Sequence, residues 1–105
     1  MKTSLQVEEF SRELGLRLRK ARIRRNKTQK ELAVMAGVSA KVIGRMEQGG
    51  LSVSLTRWLN ICEILGVFDT WQEVLHIRED PFEQYDLEQR ETTDLLKKRV
   101  RHSKK

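Results

Sequence analysis

Residues 29 to 49, QKELAVMAGVSAKVIGRMEQG, carry the most informative pattern in the chain. Thr28 stands just before it and forms with Glu31 the pattern T-x-x-E, a capping box that opens a helix. Gly37 can take the left-handed conformation that ends this helix, and Ser39 can cap a second helix shortly after it. The stretch therefore predicts two short helices joined by a tight turn, with the second helix projecting from the surface.

The second of these helices carries both anchors and free positions. Val38, Ile43 and Met46 are expected to hold it on the core. Lys41 and Arg45 are four residues apart and therefore share a face of the helix. The positions expected to face outward are Ala40, Lys41, Gly44 and Arg45.

Apolar spacing predicts three further helices around this pair. The first runs roughly from residue 8 to 25, the fourth carries Trp58 and Cys62 as core residues, and a short fifth helix follows Gly66. The expected apolar stripes are Leu14, Leu18 and Ala21 in the first helix, Leu55, Trp58, Leu59, Cys62 and Leu65 in the fourth, and Val67, Phe68, Trp71, Val74 and Leu75 in the fifth.

These elements predict an all-α fold of five helices. The expected division is a lead over residues 1–7, a helical domain over 8–76, and a charged extension over 77–105 that is acidic first and basic afterwards. Apolar residues become sparse after Pro81, the only proline, so the extension is expected to pack weakly.

Charge is sorted along the chain. The 105 residues carry 21 Lys and Arg against 15 Asp and Glu, a formal net charge of +6. Residues 17–30 hold eight cations and no acid, residues 61–96 hold two cations and ten acids, and residues 97–105 hold six cations and no acid. Concentrated basic charge attracts phosphate chains, although a solvated face also shows such runs. The basic tail is either a phosphate-binding arm or a solubilising end.

Several classes of protein fit the sequence poorly. Cys62 is the only cysteine, which excludes an intrachain disulfide and fits a reduced, cytoplasmic setting. No run approaches a membrane span or a signal peptide, so no membrane association is expected. His76 and His102 are far apart, and no catalytic constellation or phosphate-binding glycine loop stands out. We expect a small basic binding module without metal, cofactor or enzymatic activity.

The chain resembles the lambda-repressor-like, or XRE, helix-turn-helix domain of phage and bacterial regulators. The matching stretches are LGLRLRKARIRRNKTQKELAVMAGVSAKVIGRMEQGG and LTRWLNICEILGV, which together cover residues 14 to 67. The signature is TQKELA…GVS…I…E.G. The resemblance implies a sequence-specific regulator of transcription that binds double-stranded DNA, more often as a repressor.

The resemblance also implies roles for individual positions. The base-reading positions on the projecting helix correspond to Ala40, Lys41, Gly44 and Arg45, although Gly44 offers no side chain. Gln29 corresponds to the family glutamine that touches phosphate and supports the reading helix. The expected phosphate contacts are Arg25, Lys27, Thr28, Gln29, Lys30 and Ser39. Elementary physics agrees at the helix starts, because helix N-termini offer free N–H groups to anions.

One matching pair is expected to be structural. Arg22 and Glu47 correspond to a partly buried ion pair that ties the projecting helix to the first helix. Such a pair would fix the angle of the reading helix.

A single reading helix covers only a few base pairs, so a homodimer on two half-sites is expected. Its candidate contacts are Val67, Phe68, Trp71 and Leu75, although the same residues could merely close the monomer core. The alternative function is an antitoxin that represses its own operon and binds a toxin protein. Apolar residues spaced through the acidic segment REDPFEQYDLEQRE, residues 78–91, would suit docking on a protein partner.

Overall fold

The computed structural model describes residues 2–50, 52–77 and 81–103. The chain divides into two units, Met1–Val74 and Leu75–Lys105, and each is described by itself. Every regular element in the described ranges is a helix, so the predicted all-α class is confirmed.

The first unit contains four α-helices and a 3-10 helix in its described part. Their bounds are α1 Leu5–Arg24, α2 Gln29–Ala36, α3 Ala40–Glu47, α4 Leu55–Ile64 and the 3-10 helix Phe68–Glu73. The helix α1 begins before the expected residue 8 because Ser4 caps it. The Ser4 hydroxyl accepts a hydrogen bond of 3.2 Å from the Val7 amide.

The capping signals around the tight turn are confirmed. The Thr28 hydroxyl accepts from the Glu31 amide, and a Glu31 carboxylate oxygen accepts from the Thr28 amide, both at 3.0 Å. Gly37 ends α2 with φ of 67°, in the left-handed region that favours glycine. The Ser39 hydroxyl then caps α3 by accepting from the Val42 amide. Local sequence chemistry therefore sets both ends of the turn.

The core lies where the helices of this unit meet. Trp58 and Cys62 are buried as predicted, but two expectations for α4 are wrong. Leu55 is 60% exposed, and Ile61, absent from the expected stripe, is 1% exposed. The core residues are Leu18, Leu32, Ala33, Ile43, Met46, Val53, Trp58, Ile61, Cys62 and Leu65.

The backbones of α1 and of the end of α3 approach each other closely. A Cβ atom built on Gly15 would lie 2.5 Å from the Glu47 carbonyl oxygen and 2.7 Å from that of Met46. Gly49, with φ of 89°, meets the backbone of Ser11 and Arg12 in the same way. Two glycines thus allow α3 to end directly against α1.

The predicted short fifth helix is present, and it is a 3-10 helix. Residues 68–73 form a 3-10 helix, in which the Thr70 amide and hydroxyl both donate to the Val67 carbonyl. Val74 is extended, and Leu75 follows at φ of 63°. Apolar residues three to four positions apart in one short segment fit a 3-10 helix as well as an α-helix.

The second unit contains a long helix, α5, Pro81–Ser103. The sequence predicted a weakly packed extension here but did not predict a helix. Its apolar residues Tyr85, Leu95 and Leu96 are exposed within the unit. In the described ranges no helix has the length and apolar character needed to cross a bilayer.

Candidate nucleic-acid interface

The helix α3 is held on the core along one face and presents cations on another. Ile43 and Met46 are both 0% exposed and anchor the helix from below. Lys41 and Arg45 are exposed, one turn apart. The structure therefore places both predicted base-reading cations together on one accessible stripe.

Two other outward predictions need correction. Ala40 packs partly against the core, because it lies three residues before Ile43 and shares that face of the helix. Gly44 is half-buried, because the Gln29 side chain lies beside it: a Cβ atom built on Gly44 would be 3.6 Å from Gln29 Oε1. Gly44 thus makes room for a side chain of α2.

Gln29 is fixed rather than free. Its Nε2 donates a hydrogen bond of 3.2 Å to Glu47 Oε1. The glutamine at the start of α2 is therefore tied to the last turn of α3. Gly44 lies one residue before Arg45 and three after Lys41, so the amide of Gln29 borders the stripe of exposed cations.

Glu47, in the last turn of α3, also forms an ion pair with Arg22 of α1. Arg22 Nε lies 2.6 Å from Glu47 Oε2, and Arg22 Nη2 donates to Glu47 Oε1 at 3.0 Å. The Arg22 side chain is 11% exposed and that of Glu47 is 4% exposed. The hydrogen bond and charge of Glu47 raise the pKa of the Arg22 guanidinium, and burial opposes them. The remaining nitrogen, Arg22 Nη1, donates to the Lys27 carbonyl at 2.8 Å.

This arrangement links α1, α2 and α3 with directional bonds. Arg22 comes from α1, Gln29 from α2 and Glu47 from α3. A two-point contact between guanidinium and carboxylate restricts rotation as well as distance. The expected structural pair is thus present, and it also holds Gln29.

The predicted phosphate contacts fall into two groups. Thr28, Lys30 and Ser39 are exposed at the starts of α2 and α3, and Lys27 is half-buried beside them in sequence. The first turn of α3 contains no acid, so nothing there opposes the positive end of the helix dipole. The guanidinium of Arg25 lies elsewhere: its Nε donates to the Leu65 carbonyl at the end of α4, at 3.0 Å.

The four candidate dimer residues are divided between core and surface. Val67 and Trp71 pack partly against the core. Phe68 is 37% exposed, and Leu75, in the second unit, is 93% exposed.

Sequence reasoning missed three features of the site. These are the Gln29 contact with Glu47, the Arg25 bond to Leu65, and the tight packing at Gly15. Only Gly15 left a signal, because a glycine inside a helical pattern is unfavourable unless another backbone approaches it.

The fold and the geometry of α2 and α3 define a helix-turn-helix protein. Comparison with protein-family models agrees: the model described as Helix-turn-helix domain matches residues 13–73. The chain belongs to this family, in keeping with its resemblance to lambda-repressor-like domains. A search of curated proteins finds no match.

Proposed function

We propose that this protein is a sequence-specific DNA-binding regulator of transcription that reads base edges with α3. The observation that carries the proposal is the exposed pair Lys41 and Arg45 on a helix locked in place by Glu47. An α-helix with side chains is about 10–12 Å across and enters the major groove, which is about 12 Å wide. The family supports DNA binding as such.

Base readout is assigned to the accessible stripe of α3. The guanidinium of Arg45 suits a bidentate contact to guanine, and the ammonium of Lys41 suits guanine or a neighbouring phosphate. Ala40 offers only the exposed part of its methyl group to a thymine methyl. Gly44 contributes only space, because it has no side chain and the Gln29 side chain lies beside it.

Phosphate contacts are assigned to the two helix starts. The backbone amides behind Thr28 and Ser39 meet the flanking phosphates, assisted by Gln29, Lys27 and Lys30. Arg25 is left out of this set, because its bond to Leu65 gives it a role in the scaffold. These contacts supply affinity for any sequence, whereas α3 supplies discrimination.

The protein is proposed to act in the cytoplasm as a homodimer on a palindromic operator, and to repress by occupying it. One reading helix covers too few base pairs for useful specificity, and two-fold dimers bind half-sites about one helical turn apart. Val67, Phe68, Trp71 and Leu75 remain candidates for the contact between copies.

Selection from a random duplex pool at a fixed salt concentration tests this function. The proposal predicts an enriched motif made of two inverted half-sites whose centres are about 10 base pairs apart. A Lys41→Ala/Arg45→Ala variant should lose the motif. The matched control Arg12→Ala/Arg19→Ala removes two exposed cations of α1 and should retain it. Recovery of no motif by the folded wild-type protein would contradict the proposal.

An antitoxin role makes a different prediction. The observation that favours a protein partner is that Tyr85, Leu95 and Leu96 are exposed on the acidic part of α5, residues 81–96. Purification of the chain from its native host would then yield a stoichiometric complex with a second, different protein. Recovery of the chain alone, bound to its operator, supports the plain regulator.

A further inference from the structure

The first unit contains an open apolar groove. It has a volume of about 1190 Å³ and runs along α1 from Phe10 to Arg24, facing α4 and the 3-10 helix. Its apolar lining includes Phe10, Leu14, Leu55, Trp71 and Val74. Phe10 is 50% exposed and Val74 is 58% exposed, so the unit leaves apolar surface open to water.

Two features of the groove indicate what it accepts. Four cations line it, namely Arg17, Lys20, Arg24 and Arg25. In addition, the rest of its lining is largely apolar, and Phe10 and Val74 within it are exposed. The groove therefore fits an apolar surface that carries negative charge.

The part of α5 before residue 97 has this chemistry. Tyr85, Thr92 and Leu96 share one face by helical spacing, and Asp86 and Glu88 flank it. Between residues 81 and 96 the helix carries five acids, Glu83, Asp86, Glu88, Glu91 and Asp94, against Arg90. Its length also suits the groove, because residues 85–96 span about 17 Å and the groove follows α1 for about 21 Å, at 1.5 Å per residue.

We propose that the groove of one protomer binds the acidic face of α5 from a second copy, and that two such contacts form the dimer. The exchange is reciprocal, so both grooves are filled and the buried area doubles, as a two-fold dimer requires. This inference rests on the proposed dimer. It assigns the contact between copies to a helix bound in a groove, and not to the exposed side chains of Phe68 and Leu75. Val67 and Trp71 line that groove.

Charge reversal tests the contact without DNA. A groove variant, Lys20→Glu/Arg24→Glu, and a helix variant, Asp86→Arg/Glu88→Arg, each place like charges together in their own homodimers. Each should raise the dimer dissociation constant, measured by sedimentation equilibrium, about tenfold or more. An equimolar mixture of the two variants should recover wild-type affinity, because both contacts of the mixed dimer pair opposite charges.

Control variants carry the same charge changes outside the proposed contact. Arg12→Glu/Arg19→Glu lies on α1 but not in the groove, and Glu91→Arg/Asp94→Arg lies on α5 away from Tyr85. Both should dimerise like the wild type. Circular dichroism establishes that each variant is folded.

Tryptophan fluorescence gives a second readout, because both tryptophans of the chain, Trp58 and Trp71, line the groove. Their emission should change with protein concentration over the same range as the sedimentation transition.

The outcomes separate the docking from the proposed function. A wild type that stays monomeric at high micromolar concentration overturns the docking and the dimer, while DNA binding is judged by the duplex selection. A dimer that ignores both charge reversals overturns the docking alone. A third outcome also contradicts the contact with a second copy. In it, the mixture of the two variants does not recover wild-type affinity, but a single chain that carries all four substitutions is monomeric and has wild-type fluorescence.

Discussion

Glu47 determines how α3 is held. It accepts from Arg22 of α1 and from Gln29 of α2, and its side chain is 4% exposed. Removing one member of a buried pair leaves the other charge without compensation. Glu47 therefore contributes to stability and to the orientation of Lys41 and Arg45 together.

The first prediction concerns this pair. Glu47→Ala should lower the free energy of unfolding by about 3–5 kcal/mol, measured by urea denaturation. The control is Glu13→Ala, which breaks an ion pair with Arg17 whose side chains are both 64% exposed, and should cost about 0–1 kcal/mol. Equal losses in the two variants would show that the Glu47 pair is not effectively buried.

The second prediction contrasts two helical glycines. Gly15→Ala should destabilise the protein by about 1–3 kcal/mol or more, because the new Cβ atom would meet backbone carbonyls of α3. Gly44→Ala should instead stabilise it by about 0.5–1 kcal/mol, because its Cβ atom would meet only the Gln29 side chain, at ordinary contact distance. Thermal melts measure both. The same sign for the two substitutions would contradict the described packing.

At the scale of elements, capping chemistry places α2 and α3 relative to the turn. The pattern T-x-x-E and Gly37 predicted both ends of α2 from sequence, because a cap involves only residues close in the chain. The buried face of α3 was likewise predictable from the spacing of Ile43 and Met46. Local patterns of this kind fix where a helix begins and which face it buries.

Contacts between residues far apart in the chain were harder to predict from the sequence. The Gln29 bond to Glu47 joins residues 18 positions apart, and the Arg25 bond to Leu65 joins residues 40 apart. No periodicity encodes such distances. For the same reason, the basic run 17–30 did not show that the Arg25 guanidinium donates to the Leu65 carbonyl.

The third prediction uses the capping box. The hydrogen bond from the Thr28 amide, together with that residue's hydroxyl, lowers the pKa of the Glu31 carboxyl below its ordinary value of 4.5. The stability that the Glu31 charge contributes is therefore present above pH 4.5 and lost as the pH falls through the lowered pKa. The difference in unfolding free energy between wild type and Glu31→Gln should shrink on acidification. A difference independent of pH would contradict this.

The whole molecule has two units, and the helix of the second unit, α5, is acidic up to residue 96 and basic after it. In the proposed function, phosphate contacts at the starts of α2 and α3 supply affinity, and the release of counterions should make binding weaken with salt. The basic tail through Ser103 continues α5, so its backbone is helical.

The fourth prediction follows from this division. Lys30→Ala should weaken binding to all duplexes alike and reduce the slope of log affinity against log salt by about one. Arg25→Ala should leave that slope unchanged and lower thermal stability, because its partner is the Leu65 carbonyl. Fluorescence anisotropy over a salt series measures both. A reduced slope for Arg25→Ala would return that residue to the DNA interface.

The most direct test of base reading by α3 compares wild type and Arg45→Ala on the selected duplex and on its single-base variants. Arg45→Ala should lose about 1–3 kcal/mol of binding free energy on the selected duplex and should show a flattened preference at one base position in each half-site. An equal loss on every duplex, or no loss at all, would contradict base reading by Arg45.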